Sequence, residues 1–321
     1  MKLLTFSPAR DAAARLGAYL GGRRVLDLPA AYAQRFGGRA PDWFGSVAAL
    51  LGGGEPALAL ARQVVEHAGG APDNEPENGV GGHLSRTLHD VDRIVFHPPA
   101  GASAKVLCVT MNYLSHAQAS GVSRPSEDPY FFVKMPNLLT PHRAPVIASK
   151  TSKKCDSEIE LAVVIGRRGK YITREQAMDY VAGYTVANDF SFRDRRMVNG
   201  ETNPGRLHWL TLKNLDTAAP IGPWLVTTDE IPDPYDLEIA LTLENDPQER
   251  QTGRTSGMLH TIPDLIYHAS DGLTLEPGDV ILTGTPHDVA FGHERFLRPG
   301  DVLRAAIDRI GALVNPVRAD E

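Results

Sequence analysis

CDSEIELAVVIG, residues 155–166, carries a strand, IELAVVIG from Ile159, that is otherwise built for burial. Side chains alternate along a strand, so Ile159, Leu161, Val163 and Ile165 share one face, and Glu158, Glu160, Ala162 and Val164 share the other. Two carboxylates side by side on an otherwise apolar strand repel each other unless something neutralises them. A divalent cation would do so, and an all-oxygen donor set points to Mg²⁺, Mn²⁺ or Ca²⁺ rather than zinc. A third carboxylate, Asp189, ends the apolar run YVAGYTVAND at residues 180–189. Spacing alone leaves a plain solvated pair equally open. Glu75-Pro-Glu77, in a polar stretch of the same chain, has the same spacing and reads as solvated charge. The strand context is what sets Glu158 and Glu160 apart.

Outward from this stretch the chain is rich in short strands and turns. AKVLCVTMNY (104–113) and LEIALTLEND (237–246) read as strands, and two further strands each follow a Pro-Gly-Asp turn, at Pro277 and Pro299. TREQAMDYV reads as a short helix with Thr173 and Gln176 spaced as a capping box, and DLIYHASDGLTL as a helix entering a turn. Nearer the N-terminus, Gly21-Gly22 joins two strands as a hairpin. Pro56 opens a helix that runs to Gly69-Gly70, and a polar loop follows to about residue 82. Thirty Gly and 24 Pro, about a sixth of the chain against a usual share of roughly 12%, fit many turns. The pattern predicts an α+β, β-rich and mostly antiparallel fold.

Composition excludes several classes. With 33 Lys and Arg against 39 Asp and Glu, the formal charge of −6 lacks the basic excess of a nucleic-acid binder. No apolar run approaches the roughly 18 residues that span a bilayer, so no membrane partner is expected. Two cysteines, Cys108 and Cys155, exclude a disulfide framework. The first residues carry one cation and an apolar stretch too short for a signal peptide, so a cytoplasmic location is expected.

CDSEIELAVVIG, GYTVANDFSFRD, LKNLDTAAPIGPW, LEPGDVILTGTP and MNYLSH, in their relative order, resemble the fumarylacetoacetate hydrolase superfamily from about Lys105 to Asn315. That group includes acylpyruvases, decarboxylases and isomerases. The resemblance implies a mixed β-roll catalytic domain over 101–321, a smaller β-containing N-terminal domain over 1–100, and a homodimer. It assigns Glu158, Glu160 and Asp189 to Mg²⁺ or Mn²⁺, with Ca²⁺ also able to occupy the site. Three ligands would leave about three octahedral positions for water and a small anionic 2-oxo acid. It further implies His116 as general base, Lys213 beside the metal, and Thr285 and Tyr113 on the substrate.

Two positions depart from the pattern. Many family hydrolases carry Glu three residues after the base, where this chain has Ala119; either Gln118, Glu127 or Asp128 substitutes, or the water is activated differently, or the reaction needs no base-activated water. Seven residues beyond Asp189 the usual Gln is replaced by Arg196, suited to a second substrate carboxylate, although Arg193 to Arg196 also reads as a solvated charge cluster. The first expectation is a Mg²⁺- or Mn²⁺-dependent hydrolase cleaving a C–C bond of an acylpyruvate-like or 2,4-dioxo acid through an enolate. The alternative, favoured by Ala119 and Arg196, is a decarboxylase or isomerase of an unsaturated 2-oxo diacid from aromatic catabolism.

Overall fold

The computed structural model describes residues 1–69, 87–101, 104–119, 121, 126–195, 207–244, 246–286 and 295–321. In the N-terminal part β1 (Lys2–Ser7), β2 (Arg15–Gly21) and β3 (Arg24–Asp27) precede α1 (Leu28–Phe36), α2 (Val47–Gly52) and α3 (Gly54–Gly69). Then come β4 (Leu88–Asp90), β5 (Val95–His97), β6 (Val106–Val109), α4 (Leu114–Ala119), β7 (Phe131–Lys134), β8 (Leu139–Thr140), β9 (Val146–Ala148) and β10 (Cys155–Asp156). The site strands β11 (Ile159–Ile165) and β12 (Val181–Asn188) are followed by β13 (Ser191–Phe192), α5 (Trp209–Lys213) and β14 (Ala219–Thr227). The chain closes with β15 (Glu238–Leu243), β16 (Asp246–Arg254), α6 (Ile262–Ala269), β17 (Val280–Leu282), β18 (Val302–Ile307) and β19 (Gly311–Ala319).

The fold is α+β and strand-rich. One sheet runs β4-β3-β2-β1-β14-β12-β11-β17-β6-β7, with β5 on β1 and β8 on β14; a second runs β16-β15-β18-β19-β9. Most pairings are antiparallel; β6 with β17, β8 with β14 and β9 with β19 are parallel. β11 lies between β12 and β17 and is buried along its whole length. Its two faces feed two cores. Ile159, Leu161, Val163 and Ile165 pack with the second sheet and α6, while Ala162 and Val164 pack with β1, β6, α2 and α3. Each buried aliphatic side chain of this kind contributes roughly 1.5–3 kcal/mol.

Turn chemistry places the strands. The hairpin between β2 and β3 forms one residue later than expected: Gly21 pairs with Arg24 at a register shift of β2, and the two-residue turn is Gly22-Arg23, with positive φ at Gly21 (92°) and Gly22 (59°). Both Pro-Gly-Asp turns use one device: Asp279 Oδ2 accepts from Glu276 N (2.7 Å) and Asp301 Oδ2 from Arg298 N (2.8 Å), while Gly278 and Gly300 supply positive φ. β15 alternates buried and partly exposed positions as its sequence requires. The capping-box helix expected at Thr173 is corrected: only a 3₁₀ turn forms, at Ala177–Tyr180, without a side-chain cap. Ile172 is buried, its N–H bound to Ser270 Oγ (2.9 Å), and β12 starts at Val181, which leaves room for a turn and no more. The strand expected over 104–113 is confined to β6 and ends before Met111, whose φ is 54°. No helix among the described residues is long and apolar enough to cross a membrane. Cys108 and Cys155 are both buried and free.

Candidate metal centre

The site opens where the β11–β17 ladder comes apart. Thr283 N still donates to Leu161 O at 3.1 Å. Continuing the register sets Glu160 opposite Gly284 and Ile159 opposite Thr285, but side chains take over the backbone bonds there. Gly284 N donates to Glu160 Oε2 at 2.6 Å, and Ile159 N donates to Gln251 Oε1 at 3.0 Å. Gly284 has φ 91°, and a Cβ there would meet Asn112 Cβ at 2.9 Å, so glycine is required. On the other side Glu158 N donates to Asn188 Oδ1 (2.9 Å) and Asp189 N to Glu158 O (2.8 Å). The result is three buried carboxylates, Glu158, Glu160 and Asp189, with oxygens within 4.8 Å of one another.

Cations surround this group. Lys213 Nζ donates to Glu158 Oε2 at 2.8 Å and also to Asp189 Oδ2. Lys134, fully buried, places Nζ 2.7 Å from Asp189 Oδ1 and donates to the carbonyls of Phe190 (3.1 Å) and Lys213 (2.5 Å). Arg193 bridges Asp156, with Nε 2.9 Å from Oδ2, and Glu158. Burial alone would raise Glu158, but Arg193, Lys213 and His116 outweigh it and hold the carboxyl well below its usual range. Glu160 goes the other way: burial, then Asp189 and Glu158, push it well up. Four carboxylates, counting Asp156, face three cations, and Glu160 makes no ion pair among the described residues.

A divalent ion fits this arrangement. The donors are hard oxygens, they converge, and the cluster is short of positive charge at Glu160. Asp189 Oδ1 accepts no aligned hydrogen bond despite the nearby ammonium, which keeps a lone pair for a ligand.

Of the residues expected at the site, most converge. His116 sits on α4, partly buried beside Glu158 and the Pro286 carbonyl; desolvation lowers its pKa, with Glu158 opposing. Tyr113 is buried, and that burial first, then the nearby Glu160, raises its phenol, with Thr283 opposing. Lys213, at the end of α5, stays charged because Asp189 and Glu158 outweigh its desolvation. Thr285 is buried and accepts from Gln251 Nε2 at 3.1 Å. Arg196 lies outside the described residues, as does the 287–289 segment. Ala119 is exposed, and Asp128 lies 3.6 Å from His268.

Lys134, Arg193 and Gln251 join the site without having been singled out. A lysine inside the apolar run FFVKMP was the available signal for the first. Arg193 sat in a run that read equally as solvated charge, and Gln251 in a polar stretch with no distinguishing feature.

Residues 105–318 match the family model of the fumarylacetoacetate hydrolase C-terminal domain. Over 227 residues, 70% of each chain, the sequence is 38% identical to the mitochondrial oxaloacetate tautomerase Fahd2a of Rattus norvegicus. The maleylpyruvate hydrolase of Sphingobium sp. SYK-6, solved with manganese(II) and pyruvate, matches over 100% of both chains with a TM-score of 0.72 and 26% identity. The 5-carboxymethyl-2-hydroxymuconate delta-isomerase of Mycobacterium smegmatis does so with a TM-score of 0.69 and 27% identity. Its relatives therefore include a tautomerase, a hydrolase and an isomerase, and the chain belongs to the fumarylacetoacetate hydrolase family.

Proposed function

We propose that the protein catalyses proton transfer on a small anionic 2-oxo acid with Mg²⁺ or Mn²⁺, and that keto–enol tautomerisation of an oxaloacetate-like diacid is its reaction. The observation that carries this reading is Ala119. Activating water for C–C hydrolysis asks for a base held and strengthened by a carboxylate of its own; the position three residues after His116 offers only a methyl group, and the carboxylate beside the ring, Glu158, belongs to the metal-binding set. Asp128, one of the candidates to stand in, lies instead beside His268. The 38% identity to an oxaloacetate tautomerase supports the same choice.

A divalent ion held by Glu158, Glu160 and Asp189 would polarise the 2-oxo group and make the neighbouring C–H acidic. The chain supplies the proton handling. Burial keeps His116 neutral near pH 7, so its ring nitrogen can take a proton from the carbon beside the keto group and return it to oxygen, which balances the keto–enol exchange. Lys213 places a retained positive charge next to the carboxylates, favouring the anionic transition state. The buried surround limits water.

The test supplies enol-form oxaloacetate, an acylpyruvate and an unsaturated 2-oxo diacid with Mg²⁺ or Mn²⁺, and scores products by mass. Faster loss of the enol absorbance at unchanged mass is expected, and His116→Ala should slow it by about 10²–10⁴-fold. Pyruvate plus a carboxylic acid as the dominant outcome would establish the hydrolase instead, and CO₂ release the decarboxylase.

A further inference from the structure

Gln251 joins the second sheet to the splayed end of β11. Its side chain is 1% exposed and comes from β16, more than ninety residues along the chain from Ile159. A backbone N–H can only donate, so the amide atom 3.0 Å from Ile159 N must be the oxygen. The other end is then fixed as the NH₂ group, which donates to Thr285 Oγ1 at 3.1 Å. A hydroxyl that accepts from an amide must send its own proton elsewhere, and among the described residues no hydrogen bond takes it. Thr285 follows Gly284, whose N–H is on Glu160, and precedes Pro286, whose carbonyl meets His116.

We propose that Gln251 is a positioning residue that fixes the polarity of the Thr285 hydroxyl, so that this hydroxyl donates to an anionic oxygen of the substrate lying between Glu160 and His116. The ligand class is a planar carboxylate with a second oxygen on the adjacent carbon. The inference builds on the proposed 2-oxo acid chemistry, but it predicts binding independently of turnover. Ile159 N–H acts as the fixed reference: a backbone donor on the metal-site strand dictates, through one amide, which way a hydroxyl points.

The test uses the full-length protein with Mn²⁺ and oxalate, an acid that cannot enolise, with affinity read by calorimetry. Gln251→Glu keeps the bond from Ile159 N but presents an acceptor to Thr285, turning its proton away from the ligand. Oxalate should bind about tenfold more weakly, while the Mn²⁺ affinity stays within about twofold. Thr285→Val should weaken oxalate by about the same factor, and Thr285→Ser should restore it. Adding Gln251→Glu to Thr285→Val should cost nothing more. If Gln251→Glu weakens oxalate equally in the Thr285→Val background, its charge acts directly and the proposal falls. It falls equally if the single Gln251→Glu variant binds oxalate normally, or if the unaltered protein binds none. Should Gln251→Glu not fold, Gln251→Met frees the hydroxyl to rotate; it must weaken oxalate in the otherwise unaltered protein and leave it unchanged in the Thr285→Val background. Oxalate binding that follows this pattern without turnover of oxaloacetate removes the tautomerase reading alone.

Discussion

Lys134 reaches Asp189 from β7 with no exposed surface, and its ammonium also holds two carbonyls, those of Phe190 and Lys213. It therefore does two things: it offsets one of four clustered carboxylates and it ties the start of β13 to the end of α5. Removing one partner of a buried ion pair leaves the other charge uncompensated, at a cost of about 3–5 kcal/mol. Lys134→Met, close in volume, should lower stability by that order in the metal-free protein, measured by urea unfolding. It also leaves four carboxylates facing two cations, so added Mn²⁺ should raise the melting temperature more in the variant than in the unaltered protein. Equal increments would show that Lys134 does not share charge compensation with the metal. The same reasoning applies to Glu158, which Arg193 and Lys213 keep ionised. Glu158→Gln removes one ligand charge and should abolish Mn²⁺-dependent turnover, with metal binding weakened in calorimetry.

The element that organises the site, β11, was legible because strand alternation alone sorts its aliphatic residues onto two faces, and those faces enter two different cores. The Pro-Gly-Asp turns were legible for a similar reason, since local backbone chemistry decides them, and the hairpin at Gly21-Gly22 was legible to within one residue. The separation of β11 from β17 was not, because it depends on Gln251 arriving from a distant strand and on Asn112 packing against Gly284. For Lys134 the sequence offered only its place in an apolar run, and its burial against Asp189 and the Lys213 carbonyl is set by contacts far along the chain. One glycine makes the point at the level of an element. Gly183 lies opposite Thr227, just before β12 and β14 slip register beyond Tyr184, and a Cβ there would overlap the Val226 carbonyl oxygen and sit 2.8 Å from its carbon. Backbone cannot yield as a side chain can, so Gly183→Ala should cost about 3 kcal/mol or more. Because β12 carries Asp189 at its end, the melting point and Mn²⁺ affinity should fall together; loss of either alone would mean that the pairing does not brace the ligand.

At the scale of the whole molecule, the N-terminal segment is built into the same sheet as the site, with β1 lying between β2 and β14. Its seam with the second sheet runs through His142. The ring stands edge-on to Phe96 of β5 at 4.7 Å, and Nδ1 accepts from Val314 N of β19 at 3.0 Å. Next to it Arg143 donates to the Val91 carbonyl and pairs with Asp92. An imidazole that must accept at Nδ1 is held neutral, and burial first, then the Arg143 charge, pull its pKa from 6.5 to about 4. Well above pH 6.5 His142 is neutral whether the chain is folded or not, and it contributes no pH dependence. As the pH falls from 6.5 toward 4 the unfolded chain binds a proton that the folded one refuses, so stability drops over that window and levels off below it. With the ring partly accessible, the loss attributable to this group should be about 2–3 kcal/mol. His142→Asn keeps an acceptor for Val314 N and removes the titration. The variant should be less stable at neutral pH, having lost the ring against Phe96, yet urea midpoints at about pH 7 and about pH 4.5 should lie closer together than in the unaltered protein. Parallel pH profiles for the two proteins would place the acid sensitivity elsewhere, among the other histidines that burial holds neutral, and would leave the seam as packing alone.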